Sequence, residues 1–126
     1  GYATLRGQVS VDPPSQNAIV VVLYSGDGGA EQVVDTYVQA AAGAYFFVVP
    51  PGTYRIAAFE DRGSSLVYDA GGDPATTFNG GAAIAATSGA TIGGLDLFLR
   101  TDSEERLPFA VVLSEEDRGA GALPNV

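Results

Sequence analysis

The chain of 126 residues contains no cysteine, histidine, methionine, tryptophan or lysine, and all six of its basic residues are arginine. Without cysteine there is no disulfide framework, no thiol nucleophile and no thiolate metal site. Without histidine, Ser–His and Cys–His catalysis and imidazole ligation are excluded. Without lysine, Schiff-base chemistry and the phosphate-loop motif are excluded. Positive charge is scarce. Six basic residues stand against 15 acidic ones, for a formal charge of −9 and a pI near 4.1. That balance repels a nucleic-acid backbone and an anionic membrane surface, so neither is an expected partner. Long apolar runs are also missing. The longest, Ala18 to Tyr24, falls far short of a bilayer span, so no membrane insertion is expected.

What remains is apolar, aromatic and rich in turn residues. Hydrophobic residues make up 46% and charged residues 17%, a composition that folds rather than stays disordered. Seventeen glycines and seven prolines punctuate short alternating segments. Thr4–Val11 alternates with Leu5, Val9 and Val11 on one face, and Asp12-Pro13-Pro14-Ser15 ends it. Ala18–Ser25 is almost continuously apolar and β-branched, as a strand covered on both faces must be. Gln32–Gln39 and Ala44–Val49 follow, the latter with Tyr45, Phe47 and Val49 on one face. Pro50-Pro51-Gly52 reads as a turn in which Gly52 supplies a positive φ, and Thr53–Glu60 runs back from it. Asp61–Gly81 reads as a long polar loop, Ala82–Thr87 as a weak strand, and Ile92–Arg100 as the last clear one. This spacing predicts an all-β, antiparallel two-sheet sandwich of about seven strands over residues 1–100. Residues 101–126 read as a C-terminal extension or interdomain linker with an extra strand or docked segment at Leu107–Leu113.

The hairpin Gly43-x-Tyr45-x-Phe47 with Pro50-Pro51-Gly52-x-Tyr54-x-Ile56 resembles those of carboxypeptidase regulatory-like, or transthyretin-like, β-sandwich domains. Leu5-Arg6-Gly7-x-Val9 and Ala18–Leu23 resemble the first two strands of that family, so the likeness covers about residues 3 to 100. Ala57-Ala58-Phe59-Glu60-Asp61, Leu66-x-Tyr68-Asp69 and Asp73-Pro74 are similar to the N-terminal sandwich domains of some exported bacterial α/β-hydrolase-type proteins. The resemblance implies a non-catalytic accessory module of a larger extracytoplasmic protein, packed against or spacing a neighbouring domain of the same polypeptide. The fold by itself carries no function.

The Asp61–Gly81 loop is the leading candidate site. Asp61, Asp69 and Asp73 offer carboxylates, Ser65 a hydroxyl and the backbone near Val67 carbonyls, which is the oxygen chemistry calcium takes. Gly63 and Ser65 stand where related loops carry the middle ligands, and the alternative reading is a solvated loop whose aspartates cap turns. Gly26-x-Gly28-x-x-Glu31 only echoes a dinucleotide fingerprint, because Glu31 leads into a β-branched run instead of a helix. Glu60–Asp61 and Glu104–Glu105 are carboxylate neighbours with no sign of a shared cleft, and Gly-x-Ser-x-Gly is absent. The twelve tyrosines and phenylalanines read mainly as core, with Tyr24, Tyr37, Phe59 and Tyr68 as candidates for a carbohydrate-binding surface. The expected function is therefore an accessory module and not an enzyme, with calcium or carbohydrate binding as the alternative.

Overall fold

The computed structural model describes residues 1–113; the Ser114–Val126 segment, with its Glu115-Glu116-Asp117 run, lies outside them. The described chain is a β-sandwich. Its strands are β1 (Ala3–Asp12), β2 (Ala18–Ser25), β3 (Gln32–Gln39), β4 (Gly43–Val49), β5 (Gly52–Asp61), β6 (Ala75–Thr77), β7 (Ile84–Ala86), β8 (Thr91–Ile92) and β9 (Leu97–Arg100). The first sheet places β1 between β4 and the consecutive short strands β8 and β9. The second runs β3-β2-β5, and β5 then pairs β6 and β7 at different heights.

Alternation decides what lies between the sheets. Leu5, Val9, Tyr45, Phe47, Val49, Leu97 and Leu99 point inward from the first sheet, and Ile19, Val21, Leu23, Tyr54, Ile56 and Ala58 from the second. The unbroken apolar run of β2 has its own cause: Val20, Val22 and Tyr24 face the other way and are just as buried. With Ala57 and Phe59 of β5 they form a second apolar layer on the outside of that sheet. The chain covers this layer with Tyr68 and with Leu107, Val111 and Leu113. The Tyr68 amide donates to the Val111 carbonyl at 2.8 Å, and the Leu113 amide to the Leu66 carbonyl at 2.7 Å. A single antiparallel bridge joins Val67 and Val112. The Leu107 amide donates to the Tyr68 hydroxyl at 2.9 Å, and Phe109 packs against Tyr24 with the rings tilted and their centroids 4.5 Å apart. Residues 107–113 are thus a strap held by side-chain burial and few backbone bonds.

Four sequence expectations differ in detail from the structure. The Ile92–Arg100 strand is broken, because Gly93 and Gly94 (φ 71°) turn the chain out of the ladder before it returns as β9. Both pieces pair with β1 in parallel, so the first sheet is not purely antiparallel. The loop after Asp61 is not structureless, since it contains β6 and a 3₁₀ turn at Phe78–Gly81. Gly52 has no positive φ; a Cβ there would stand 3.3 Å from the Tyr54 hydroxyl, which donates to the Pro50 carbonyl at 2.6 Å. A side chain at 52 would therefore have to displace the Tyr54 ring slightly, and no left-handed backbone requires glycine there.

Of the described glycines, Gly7 has the least room for a side chain. Where β8 and β9 part, the Leu95 amide donates to the Arg6 carbonyl at 3.1 Å, and Asp96 Oδ1 accepts the Gln8 amide at 3.1 Å. The intervening backbone passes against β1 so closely that a Cβ on Gly7 would lie 2.0 Å from the Leu95 oxygen. The buried Tyr45 hydroxyl donates to that same oxygen at 2.5 Å.

Equilibrium urea unfolding checks this packing. Gly7→Ala must displace Leu95 backbone and is expected to cost at least about 1–3 kcal/mol, the usual cost of overpacking. Phe47→Ala is expected to cost roughly 3–5 kcal/mol and Leu107→Ala roughly 2–5 kcal/mol. A Leu107→Ala midpoint equal to wild type would show that the strap contributes nothing to the native state.

Candidate functional site

Two regions bear on function: the acidic loop and the outer face of the first sheet. In the loop, Asp61 and Asp73 are 1% exposed and Glu60 is 3% exposed, whereas Asp69 is exposed. Each buried carboxylate accepts hydrogen bonds from nearby backbone or side chains. Asp73 Oδ1 accepts the Arg62 amide at 3.0 Å, and Oδ2 accepts the Asp69 amide at 2.8 Å. Asp61 Oδ1 accepts the Ser65 amide and hydroxyl, each at 3.3 Å, and Oδ2 accepts the Leu66 amide at 3.4 Å. Asp69 Oδ1 accepts the Gly71 amide at 2.9 Å. Glu60 Oε2 accepts the Ser15 hydroxyl, and the Asn17 side-chain amide at 2.9 Å, while Oε1 accepts Arg62 Nε at 2.8 Å.

These bonds set the electrostatics. Burial opposes the charge on Glu60, but donors from Ser15, Asn17 and Arg62 outweigh it and hold the carboxyl below its ordinary 4.5. Asp73 goes the other way. Burial, reinforced by Asp61 and Asp69 nearby, pushes it above 3.8 despite its two amide donors. Among the described residues, no group of three or more acidic side chains is placed to hold a metal ion. The structure therefore puts Asp61, Asp69 and Asp73 in one loop but does not gather them into a ligand set. They organise the turn that links β5 to β6.

The other sequence candidates are also placed. Glu31 Oε1 accepts the Gly29 amide at 3.0 Å in a loop that joins two strands and opens no helix. Glu105 accepts the Thr77 hydroxyl at 3.1 Å. Tyr24, Phe59 and Tyr68 are buried under the strap, so of the four candidate surface aromatics only Tyr37 reaches solvent, and only in part.

The open aromatics are elsewhere. On the outer face of the first sheet, Phe46 is 52% exposed and Phe98 58% exposed. Beside Phe46 lies a trough of about 740 Å³, lined by Thr4, Arg6, Gln8, Tyr37, Phe46 and Asp96 among others. Register builds it. Arg6 pairs with Phe46 and Gln8 with Ala44, which sets these side chains next to each other on one face. The floor opens where Gly93–Asp96 leaves the ladder. Tyr37 closes one side, its ring 5.7 Å from that of Phe46. Alternation puts Arg6, Gln8 and Phe98 outward, and pairing with Arg6 does the same for Phe46; finding the trough also requires the break after Ile92. No family model matches the chain, and no curated protein matches its sequence.

The Glu60 network predicts an acid limb of known sign. A depressed carboxyl adds stability above its unfolded pKa, and that stability is lost as pH falls through the folded value. Asp73, shifted up, has the opposite sign: its contribution is present below about 3.8 and is lost as pH rises through its folded value. Glu60→Gln is therefore expected to lower stability at pH 7 and to flatten the loss between pH 4.5 and more acidic values. Urea midpoints measured across that range check it; an unchanged slope in the variant would assign the acid limb to other groups.

Proposed function

We propose that this chain is a non-catalytic accessory β-sandwich of a larger exported protein, serving it by contact with a neighbouring domain of the same polypeptide. The observation that carries the reading is the unequal treatment of the two outer faces. The outer face of the second sheet is buried under the chain's own strap over β2 and β5. The first sheet's outer face carries Phe46, Val48 and Phe98, each at least half exposed, with no cover from the described residues, and the contact is placed at its Phe98 end. A patch of exposed apolar side chains on an otherwise polar surface marks a contact site.

The chemistry agrees. The residue types needed for thiol, lysine or imidazole catalysis are absent from the sequence, and the buried carboxylates are hydrogen-bonded within their own loop. A carboxylate poised for proton transfer needs access to a substrate, and these have none. The resemblance of the Gly43–Ile56 hairpin to transthyretin-like accessory domains supports the same reading.

Hydroxyl-radical footprinting tests it. Phe98 is expected to label strongly in the isolated domain and to be protected in the full product of the encoding gene. Equal labelling in both, or a gene product with no further domain, would overturn the reading.

A further inference from the structure

The contact reading leaves the Phe46 end of the first sheet unused. Phe46 sits opposite Arg6 and Phe98 opposite Ser10, four positions further along β1 or about 13 Å at the rise of a strand. The trough at the Phe46 end differs from the acidic loop in one respect. The loop's polar groups are occupied by internal hydrogen bonds, while those of the trough are not. Among the described residues, the side chains of Thr4, Arg6, Gln8 and Tyr37 make no hydrogen bond or ion pair, although the other described arginines each bond to a carboxylate or a carbonyl. Asp96 uses only Oδ1, on the Gln8 amide.

Together these groups surround an exposed aromatic face with donors and acceptors of every kind: a guanidinium, a carboxamide, a carboxylate oxygen, an aliphatic hydroxyl and a phenol. An aromatic face accepts the C–H side of a sugar ring, and planar polar side chains at its margin pair with adjacent ring hydroxyls. Charge narrows the ligand further. Among the described residues, Arg6 and Asp96 are the only charged ones lining the trough, and they cancel. A cationic ligand meets Arg6, and an anionic one meets Asp96 together with the field of a chain at −9. A neutral polyhydroxyl compound meets neither objection. We propose that the Thr4–Arg6–Gln8–Tyr37–Phe46–Asp96 trough is a binding site for a neutral oligosaccharide. It rests on the open outer face of the first sheet and not on the neighbouring-domain contact at Phe98.

Affinity electrophoresis of the isolated domain tests the proposal, in gels containing xylan, mixed-linkage β-glucan or mannan, with polygalacturonate as the acidic counterpart. At least one neutral polymer is expected to retard the domain. Phe46→Ala and Arg6→Ala are each expected to weaken that retardation by about tenfold or more in affinity, while Glu104→Gln, at an exposed residue outside the trough, leaves it unchanged. Unchanged urea midpoints for the two trough variants establish that they fold. Retardation by none of the neutral polymers, or retardation that survives Phe46→Ala, would overturn the glycan site. Retardation by polygalacturonate alone would overturn the charge argument. If instead Phe46 is protected from radicals only in the full gene product, the trough belongs to a protein contact and the glycan site is wrong, while the reading at Phe98 stands or falls on its own labelling.

Discussion

The contact between Gly7 and the Leu95 carbonyl is the constraint on which the first sheet depends. A strand that must pair with β4 on one side and with two short strands on the other cannot also carry a side chain where the connecting backbone passes. Glycine removes the obstacle, and the Tyr45 hydroxyl fixes the carbonyl that fills the space. Buried in this way, the phenol is pushed well above its ordinary pKa by burial, with the nearby Asp96 charge adding to the effect, so it remains a donor. Asp96 then supplies through its side chain the acceptor that the missing strand would have given Gln8. A single departure from regular pairing thus places a buried tyrosine, a bent segment and an open surface depression next to one another.

The molecule handles its acidity in two ways. Some carboxylates stay in solvent, as with Asp12 and Asp102 beside Arg100, where exposed pairing contributes little to stability. Three others, Glu60, Asp61 and Asp73, are drawn inside and matched with amides, hydroxyls and one guanidinium. A long loop ordinarily has few ways to satisfy its backbone without regular structure. Here aspartate oxygens take the place of a strand partner between β5 and β6. What looked like metal-binding composition is also what a self-capping turn requires, and composition does not separate the two.

Much of the fold was legible in the residues because period-two alternation is strict where it matters. Leu97 and Leu99 alternate with Phe98 and Arg100, and Leu5 and Val9 with Arg6, Gln8 and Ser10, whereas in β4 both faces are apolar and pairing with β1 decides that Tyr45, Phe47 and Val49 point inward. The same pattern sends Phe98 outward, and pairing with Arg6 sends Phe46 outward, whereas the sequence points to Tyr24, Tyr37, Phe59 and Tyr68 as surface aromatics. Three of those are buried because a distant segment covers them, and nothing local to β2 or β5 announces which part of the chain will do so. The break after Ile92 was hidden for a related reason. Gly93 and Gly94 were visible, but their effect depends on how near β1 comes, and proximity across nearly ninety positions is not encoded in local pattern. The trough inherits that difficulty, since it needs the alternation, the register and the break together.

The strap also gives the molecule a mechanical order. Residues 107–113 reach the sandwich through one bridge and a handful of backbone bonds, whereas β1, β2 and β5 are each laced along their length. Tension applied beyond Leu113 would load the strap's bonds one after another, as in peeling tape, before any central strand felt the pull. The first thing uncovered would be the apolar layer around Tyr24, Ala57 and Phe59, a sticky surface normally hidden. Release of the strap would bare that layer without breaking any pairing of β1, β2 or β5.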